Sequence, residues 1–241
     1  MRTLFLLGAV SASTAAMAIQ GVVPNAFAGT EGPGVFSLTS TAAAGRTFML
    51  VMDESQLTSF VGTNLTGMQF RLNGGATWPP VAASMSTFDV YLGAAVDPTA
   101  MSNTFLDNFT SGSTQVRNGG ITFNPGDFPG AGTPNAFGAS IGFNMGSYAY
   151  NGGDLGILMR FSQQTGATTQ AAFDAIAASD PGNGWGTLFS ARWTGNIAGV
   201  TGGNANFLIT QLTGEPIPEP ATMTALALGA AAVIRSRRRR K

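Results

Sequence analysis

Short alternating segments, separated by glycine-rich turns, place the strongest constraint on how this 241-residue chain can fold. Apolar and polar residues alternate through Thr66–Leu72 and again through Ser86–Gly93, so that every second side chain faces the same way. The tripeptide Asn-Gly-Gly occurs at residues 73–75, 118–120 and 151–153. Because Asn-Gly supplies the positive φ angles that tight hairpin turns need, we expect many short antiparallel strands.

This pattern predicts an all-β fold, a single antiparallel β-sandwich or jelly-roll-like domain of about nine or ten short strands. The clearest hairpin is expected between residues 139–150 and 154–161. One short helix is expected over residues 167–178, where apolar residues recur at helical spacing, and residues 105–110 are expected to form a strand. The 17 phenylalanines supply the core that such a domain needs.

Composition narrows the possible chemistry. Residues 29–214 contain five Arg and ten Asp or Glu, a net charge of −5, and no Lys. That balance disfavours nucleic acid as a partner, because phosphate binding relies on clustered Lys and Arg. The chain has no His or Cys, which excludes Ser-His-Asp and Cys-His nucleophile pairs and His/Cys sites for zinc, copper or haem. We therefore expect a protein that is not an enzyme and has no cofactor.

The last 26 residues, from Pro216 to Lys241, have the layout of a processed membrane-targeting signal. Pro218-Glu219-Pro220 precedes fourteen uncharged, mostly apolar residues at 221–234, and the chain ends in the basic residues Arg235, Arg237, Arg238, Arg239, Arg240 and Lys241. Fourteen helical residues span about 21 Å, which is short for a hydrocarbon core of about 30 Å. The basic tail is expected to stay in the cytoplasm as a stop-transfer element.

These three parts, in this order at the C-terminus, resemble the PEP-CTERM sorting signal of bacterial exosortase substrates. The resemblance implies cleavage near Pro218-Glu219-Pro220 by exosortase, a membrane-embedded enzyme similar to cysteine transpeptidases. It also implies delivery to the cell surface or extracellular matrix of an exopolysaccharide-producing, biofilm-forming bacterium. The alternative is an ordinary tail anchor that is never cleaved.

The N-terminus predicts a signal peptide. Arg2 precedes the apolar stretch Leu4–Val10, as in the positively charged and apolar regions of secretory signals. Two small-residue cleavage patterns follow, Ala16-Met17-Ala18 and Ala26-Phe27-Ala28. The first lies nearer to the apolar stretch, and the second follows Pro24, which interrupts a helix.

We predict cleavage after Ala28. The chain then divides into a signal peptide (1–28), a β-sandwich ectodomain (29–214) and a sorting signal (215–241) that includes a transmembrane helix. Signal peptidase and exosortase are the expected processing partners, and the C-terminal helix is expected to anchor the precursor in the membrane transiently.

Tryptophan rings are the candidate ligand-binding groups of the ectodomain. Trp185 lies between two glycines, which would hold it in an exposed loop, and Trp78 and Trp193 are the other two indoles. Each could stack on a sugar ring, with Trp185 and Trp78 as the candidates retained. The alternative is that these rings cover the core.

Acidic residues leave two further options open. Calcium could take oxygen ligands from Asp180–Gly184, Asp127 or Asp154, although Asp and Asn are also ordinary turn residues. Two of the ten acids could also form the carboxylate pair of a glycoside hydrolase, a pair that no motif marks.

Three functions are therefore compared. The leading one is a secreted surface or matrix protein with a structural or adhesive ectodomain. The second is a carbohydrate-binding module attached to exopolysaccharide, and the third is a carboxylate-based glycoside hydrolase.

Overall fold

The computed structural model describes residues 17–75 and 77–217. These residues form antiparallel sheets joined by turns, which confirms the expected all-β fold. The strands are β1 (Ile19–Val23), β2 (Gly34–Phe36), β3 (Arg46–Met52), β4 (Thr63–Phe70), β5 (Ala83–Met85), β6 (Phe88–Ala94), β7 (Thr114–Arg117), β8 (Ile121–Phe123), β9 (Ile141–Gly142), β10 (Tyr148–Tyr150), β11 (Leu155–Phe161), β12 (Gln164–Gly166), β13 (Phe173–Ile176), β14 (Phe189–Thr194), β15 (Gly203–Asn204), β16 (Phe207–Leu208) and β17 (Thr210–Pro216). The described helices are short 3-10 turns at Asn25–Phe27, Glu54–Gln56, Thr58–Phe60, Pro98–Ala100, Phe105–Asn108 and Pro181–Asn183.

Two large sheets dominate the architecture. A five-stranded sheet has the order β1-β17-β4-β10, with β9 also pairing with β4, and a six-stranded sheet has the order β15-β14-β3-β11-β6-β7. Two three-stranded sheets, β12-β5-β8 and β16-β13-β2, complete the arrangement. The last strand, β17, therefore lies inside its sheet, between the first strand and β4.

β3 lies at the centre of the six-stranded sheet, between β14 and β11, with Leu50 opposite both Ala191 and Ile157. Leu50 belongs to the main core cluster, whereas Met49 and Val51 on the other face pack with the segment around Phe105 in a second cluster. Both faces are thus covered, and the continuous apolar sequence of β3 is typical of a fully buried strand.

The main core cluster contains side chains from both large sheets. Leu50 and Ile157 of the six-stranded sheet lie in one cluster with Met68 and Leu212 of the five-stranded sheet, and all four are fully buried. In a chain without cysteine, this apolar burial has to supply most of the stabilisation, at roughly 25 cal/mol per Å² removed from water.

The predicted helix over residues 167–178 is wrong. Residues Phe173–Ile176 form β13 instead, with Phe173 opposite Phe36 and Ala175 opposite both Gly34 and Leu208. All four residues of β13 are buried, and strand neighbours on both sides satisfy its backbone. Tertiary pairing has overridden a local pattern that also fitted a helix.

The predicted hairpin between residues 139–150 and 154–161 is also wrong. The turn is present, since Gly152 and Gly153 have φ angles of 105° and 84°. However, β10 before the turn pairs with β4, whereas β11 after it pairs with β3 and β6. The Asn-Gly-Gly turn therefore carries the chain from one large sheet to the other.

Residues 105–110 do not form the expected strand, because Phe105–Asn108 is a 3-10 turn. The fully buried amide of Asn108 accepts a hydrogen bond from the Ser102 amide and donates to the carbonyls of Ser102 and Thr104. These bonds satisfy the loop backbone in place of a strand partner, while Phe105 and Phe109 cover the outer face of β3 and β11.

Both predicted domain boundaries differ from the folded unit. Residues 19–23, which belong to the predicted signal peptide, form β1 and pair with β17 along their whole length. At the other end, β17 continues past the predicted boundary at 214 to Pro216. In the part of the chain that the structure describes, no helix has the length and apolarity that crossing a membrane requires. The predicted transmembrane helix at 221–234 lies outside the described residues.

Candidate functional site

β17 delivers the chain directly to the predicted sorting motif. It pairs with β1 on one side and with β4 on the other, and its last residue, Pro216, lies opposite Thr63. The amide of Ile217 then donates to the Gly62 carbonyl, 3.3 Å away. Pro218, the first residue of the motif, follows at once. Pro218, Glu219 and Pro220, and the basic residues from Arg235 to Lys241, lie outside the described residues.

A β-bulge fixes the end of β17. The register with β4 shifts between Thr213 and Gly214, so that Thr66 is the extra residue on β4. Gly214 is required there, because a Cβ at this position would lie 2.7 Å from the Thr63 hydroxyl oxygen and 3.1 Å from the Phe60 ring. That hydroxyl donates to the Phe60 carbonyl at 2.7 Å. The domain thus closes tightly just before the motif begins.

A buried ion pair holds the segment that follows β1. Arg71 Nε lies 2.7 Å from Asp174 Oδ2, and both side chains are almost fully buried. The same guanidinium donates to the carbonyls of Phe27, Ala28 and Thr30. Burial raises the pKa of the Asp174 carboxyl, and hydrogen bonds from Arg71, from Asn73 and from the Gly32 amide oppose that rise.

The residues of the predicted signal cleavage site lie in this segment. Ala26 is within the 3-10 turn Asn25–Phe27, and Ala28 directly follows it. Both alanine side chains are exposed, whereas Phe27 between them is buried in the core cluster.

Trp78, a predicted sugar-stacking residue, belongs to the core. It is 4% exposed, and its ring packs against Phe123, Phe128 and Phe173. Its indole Nε1 donates to the Thr169 carbonyl at 2.9 Å. The structure therefore favours the alternative that this ring covers the core and corrects its assignment as a sugar-stacking residue, because the side chain is buried.

Trp185 and Trp193 are both half-buried at the surface. The Trp185 Nε1 donates to the Ala205 carbonyl at 3.0 Å, and the Arg192 guanidinium carbon lies 5.9 Å from its ring centroid. Gly184 and Gly186 beside it have φ angles of 93° and 83°, as the loop interpretation requires. Part of the Trp185 ring thus remains available to a ligand.

Trp193 lines a surface cleft of about 370 Å³, together with Phe36, Ser37, Arg46 and Gln170. The Arg46 guanidinium lies over the indole, 4.8 Å from its centroid, and donates to the Ser37 carbonyl. An aromatic ring beside a cation and polar groups is chemically suited to the apolar face and hydroxyls of a sugar. Trp193 is not one of the two candidates retained from the sequence, and the residues that line the cleft with it are distant in the chain.

Two of the three calcium candidates are turn residues. Asp127 Oδ2 accepts from the Asn124 amide at 2.7 Å, and Asp180 Oδ2 accepts from the Asn183 side chain within the turn that contains Pro181–Asn183. These hydrogen bonds close the turns.

The third candidate, Asp154, lies in a group of carboxylates that the sequence did not reveal. Its carboxylate oxygen and those of Asp53 and Asp97 lie within 4.8 Å of one another. The strand register brings these three carboxylates together, because Leu155 at the start of β11 lies opposite both Met52 on β3 and Ala94 on β6. The acids at these strand ends therefore share one edge of the six-stranded sheet.

The electrostatics of this group follow from its crowding. Burial raises the pKa of Asp154, as do the neighbouring charges of Asp53, Asp97 and Glu54, while the bond from the Glu54 amide opposes the rise. The hydrogen bonds of Thr99 lower the pKa of Asp97. Each of the three carboxylates caps a backbone amide, and together they could offer a cation three of the six to eight oxygens that calcium takes.

Comparison with known proteins gives one match for the C-terminus. Residues 216–240 match the family model described as the PEP-CTERM protein-sorting motif. No curated protein matches the chain. A solved structure titled "Structure of infectious bursal disease virus Gx strain" aligns over 93% of this chain at 12% identity and a TM-score of 0.23. The chain spans 48% of the length of that structure, and a likeness this weak supports no argument about fold or function.

Proposed function

Because this chain carries a PEP-CTERM protein-sorting motif, which implies an exported substrate of exosortase, we propose that it is a surface or matrix protein of an exopolysaccharide-producing bacterium. Signal peptidase removes its N-terminal signal. The C-terminal helix anchors the precursor transiently, until exosortase cuts near Pro218-Glu219-Pro220.

The observation that carries this proposal is the position of the matched segment relative to the fold. β17 is the last strand in the part of the chain that the structure describes, and it ends at Pro216, where the match begins. Cleavage at the motif would release the domain with every described strand intact. A sorting signal that is removed by cleavage requires this arrangement.

The test is processing of full-length variants in a host that has exosortase. We expect Glu219→Ala, and deletion of Arg235–Lys241, to leave an unprocessed precursor in the membrane fraction, detected by intact mass. Glu215→Ala is the matched control, because Glu215 is an exposed glutamate four residues upstream and outside the motif. Normal release of both altered proteins would refute the proposal.

For the ectodomain we propose a structural or adhesive role without enzyme activity. The lack of His and Cys supports this role. The core supports it too, because the buried charges of Arg71 and Asp174 are paired with each other. We also propose that the two large sheets form the layers of a β-sandwich, which the core cluster common to both sheets supports.

A second candidate function is binding to exopolysaccharide. The cleft beside Trp193 and Arg46 supports it, because a half-buried indole there lies next to a cation and to polar side chains. Trp185 is the second aromatic residue of this candidate surface.

Polysaccharide pull-down with the mature protein tests this second function. We expect Trp193→Ala to lose most of the bound fraction and Leu106→Ala, which removes an exposed apolar side chain from a different loop, to keep it. Wild-type protein that fails to bind any polysaccharide of its host, or Trp193→Ala protein that binds as the wild type does, would remove this candidate.

A further inference from the structure

β1 is an integral strand of the folded domain. Its residues Ile19 to Val23 lie opposite Gly214 to Thr210 in unbroken antiparallel register. Val23 is fully buried in the core cluster. Gly21 lies so close to the Phe60 ring that a Cβ there would be 2.8 Å from a ring carbon. The strand therefore contributes backbone pairing and also close packing.

The residues after β1 are held as firmly. The amide of Asn25 donates to the Gln56 side chain at 3.0 Å, and Phe27 lies in the core cluster. The Phe27 and Ala28 carbonyls accept from the buried Arg71 guanidinium at 2.9 Å and 3.3 Å. Most residues from Ile19 to Ala28 therefore form contacts with the rest of the folded domain.

Cleavage after Ala28 would remove all of these contacts. β17 would become an edge strand with an unpaired row of amides and carbonyls, the kind of edge that promotes aggregation. Arg71 would keep Asp174 and the Thr30 carbonyl but would lose the carbonyls of Phe27 and Ala28, two of the acceptors of its buried charge.

We infer that signal peptidase cleaves between Ala18 and Ile19, so that the mature protein begins with β1. Ala16-Met17-Ala18 has the small residues that such a site requires, and Met17 and Ala18 are exposed. Water hydrolyses the Ala18–Ile19 peptide bond, leaving a carboxylate on Ala18 of the signal peptide and a free α-amino group on Ile19. The inference rests on the proposed export of the chain.

The cut places both processing sites at one end of one sheet. Ile19 lies opposite Gly214, two residues before the end of β17 at Pro216. The signal peptide and the sorting segment therefore leave the domain from adjacent strands. Both can reach the same membrane from a single face of the folded protein.

The decisive experiment is intact mass and N-terminal peptide mapping of the protein exported from the full-length chain. We expect Ile19 as the first residue. An exported chain that begins at Gly29, or at any residue other than Ile19, would overturn this inference while leaving the proposed export intact. An exported chain that retains residues 1–18 would overturn it as well, whereas a chain that is found only inside the cell would overturn the proposed export.

Two paired variants make the assignment specific. Ala16→Gln/Ala18→Gln is expected to eliminate the species that begins at Ile19, because the bulky amide does not fit a small-residue site. The matched pair Ala26→Gln/Ala28→Gln changes exposed side chains and is expected to leave that species unchanged. If the second pair blocks processing and the first does not, the site is after Ala28 and the inference is wrong.

Discussion

At the scale of single residues, the buried pair Arg71–Asp174 links parts of the chain that are far apart in sequence. Asp174 lies on β13, Arg71 directly follows β4, and the carbonyls that the guanidinium satisfies belong to residues 27–30. A buried pair is costly to desolvate, but removal of one partner is costlier still, because a charge is left alone in the core.

Removal of one partner should therefore be strongly destabilising. We expect Arg71→Met to lower the free energy of unfolding by about 3–5 kcal/mol, measured by urea denaturation of the mature protein. Arg160→Met is the control, since Arg160 is a half-buried arginine that donates to the Ile197 carbonyl, and a cost of about 1 kcal/mol is expected. Equal losses in the two variants would contradict the structural role assigned to the ion pair.

Tyr150 gives the protein a stability limit at high pH. Its side chain is 2% exposed and donates to the Gly153 carbonyl. Burial and the nearby charges, Glu54 and Asp154 foremost, raise the pKa of Tyr150 to about 12 from its ordinary value of 10.0. Between about pH 10 and 12, therefore, the Tyr150 hydroxyl keeps its proton in the folded state but has lost it in the unfolded state. The stability contributed is complete below pH 10 and is lost as pH rises through the folded-state value.

We expect a tyrosinate absorbance step near pH 12 that is absent from Tyr150→Phe, and a fall in the unfolding free energy between about pH 10 and 12 of roughly 1–2 kcal/mol. Tyr91→Phe should keep that step. A wild-type protein in which Tyr150 ionises near pH 10 while the protein is still folded would contradict the described burial.

At the scale of elements, sequence patterns predict a strand or turn correctly where the residues of that segment alone determine its structure. The alternating segment Ser86–Gly93 predicts a strand and largely coincides with β6 (Phe88–Ala94), and the three Asn-Gly-Gly sequences all provide positive φ angles. Residues 173–176 could not be predicted in this way, because β2 and β16, their partners, lie more than thirty residues away in the chain.

The candidate sites follow the same rule. The sorting motif is readable in sequence, because its three parts are contiguous and recognised by composition and order. The carboxylate group of Asp53, Asp97 and Asp154 is not readable, since strand register alone brings it together. The choice between the two A-x-A sites also depends on a distant partner, because β1 pairs with the last strand.

The packing of β17 near its C-terminal end depends on Gly214. We expect Gly214→Val to cost about 1–3 kcal/mol, measured by thermal or urea unfolding, because its side chain would collide with Thr63 and Phe60. Gly142→Val on β9 is the matched control, since the space beside Gly142 is open and its φ is not positive. A larger loss from the Gly142 substitution would contradict the described register of β17.

At the scale of the whole molecule, the first and last strands are neighbours and the last one lies inside its sheet. The five-stranded sheet cannot be completed until residues 210–216 are available, because β17 separates β1 from β4. Folding therefore depends on contacts between residues 19–23 and 210–216, which are far apart in the chain, and this favours slow folding that follows translocation of the entire domain.

A pair of truncated proteins tests this dependence. We expect residues 19–217 to fold cooperatively and resist proteolysis, and residues 19–209, which lack β17, to remain unfolded or aggregate. Circular dichroism and limited proteolysis distinguish the two outcomes. A folded 19–209 fragment would show that the rest of the five-stranded sheet is stable without its central strand.

The position of β17 also determines how the domain bears load. If the precursor is held at the membrane by its tail, as proposed above, a pull through the tail reaches the domain at β17, which is hydrogen-bonded to antiparallel neighbours on both sides. The bonds of both ladders are then strained together in shear, rather than opened one after another as in unzipping. Rupture under force is governed by the unfolding rate, and shear across two ladders makes that rate small. β17, the strand nearest to the proposed tether, is thus held against being pulled out by both of its neighbours.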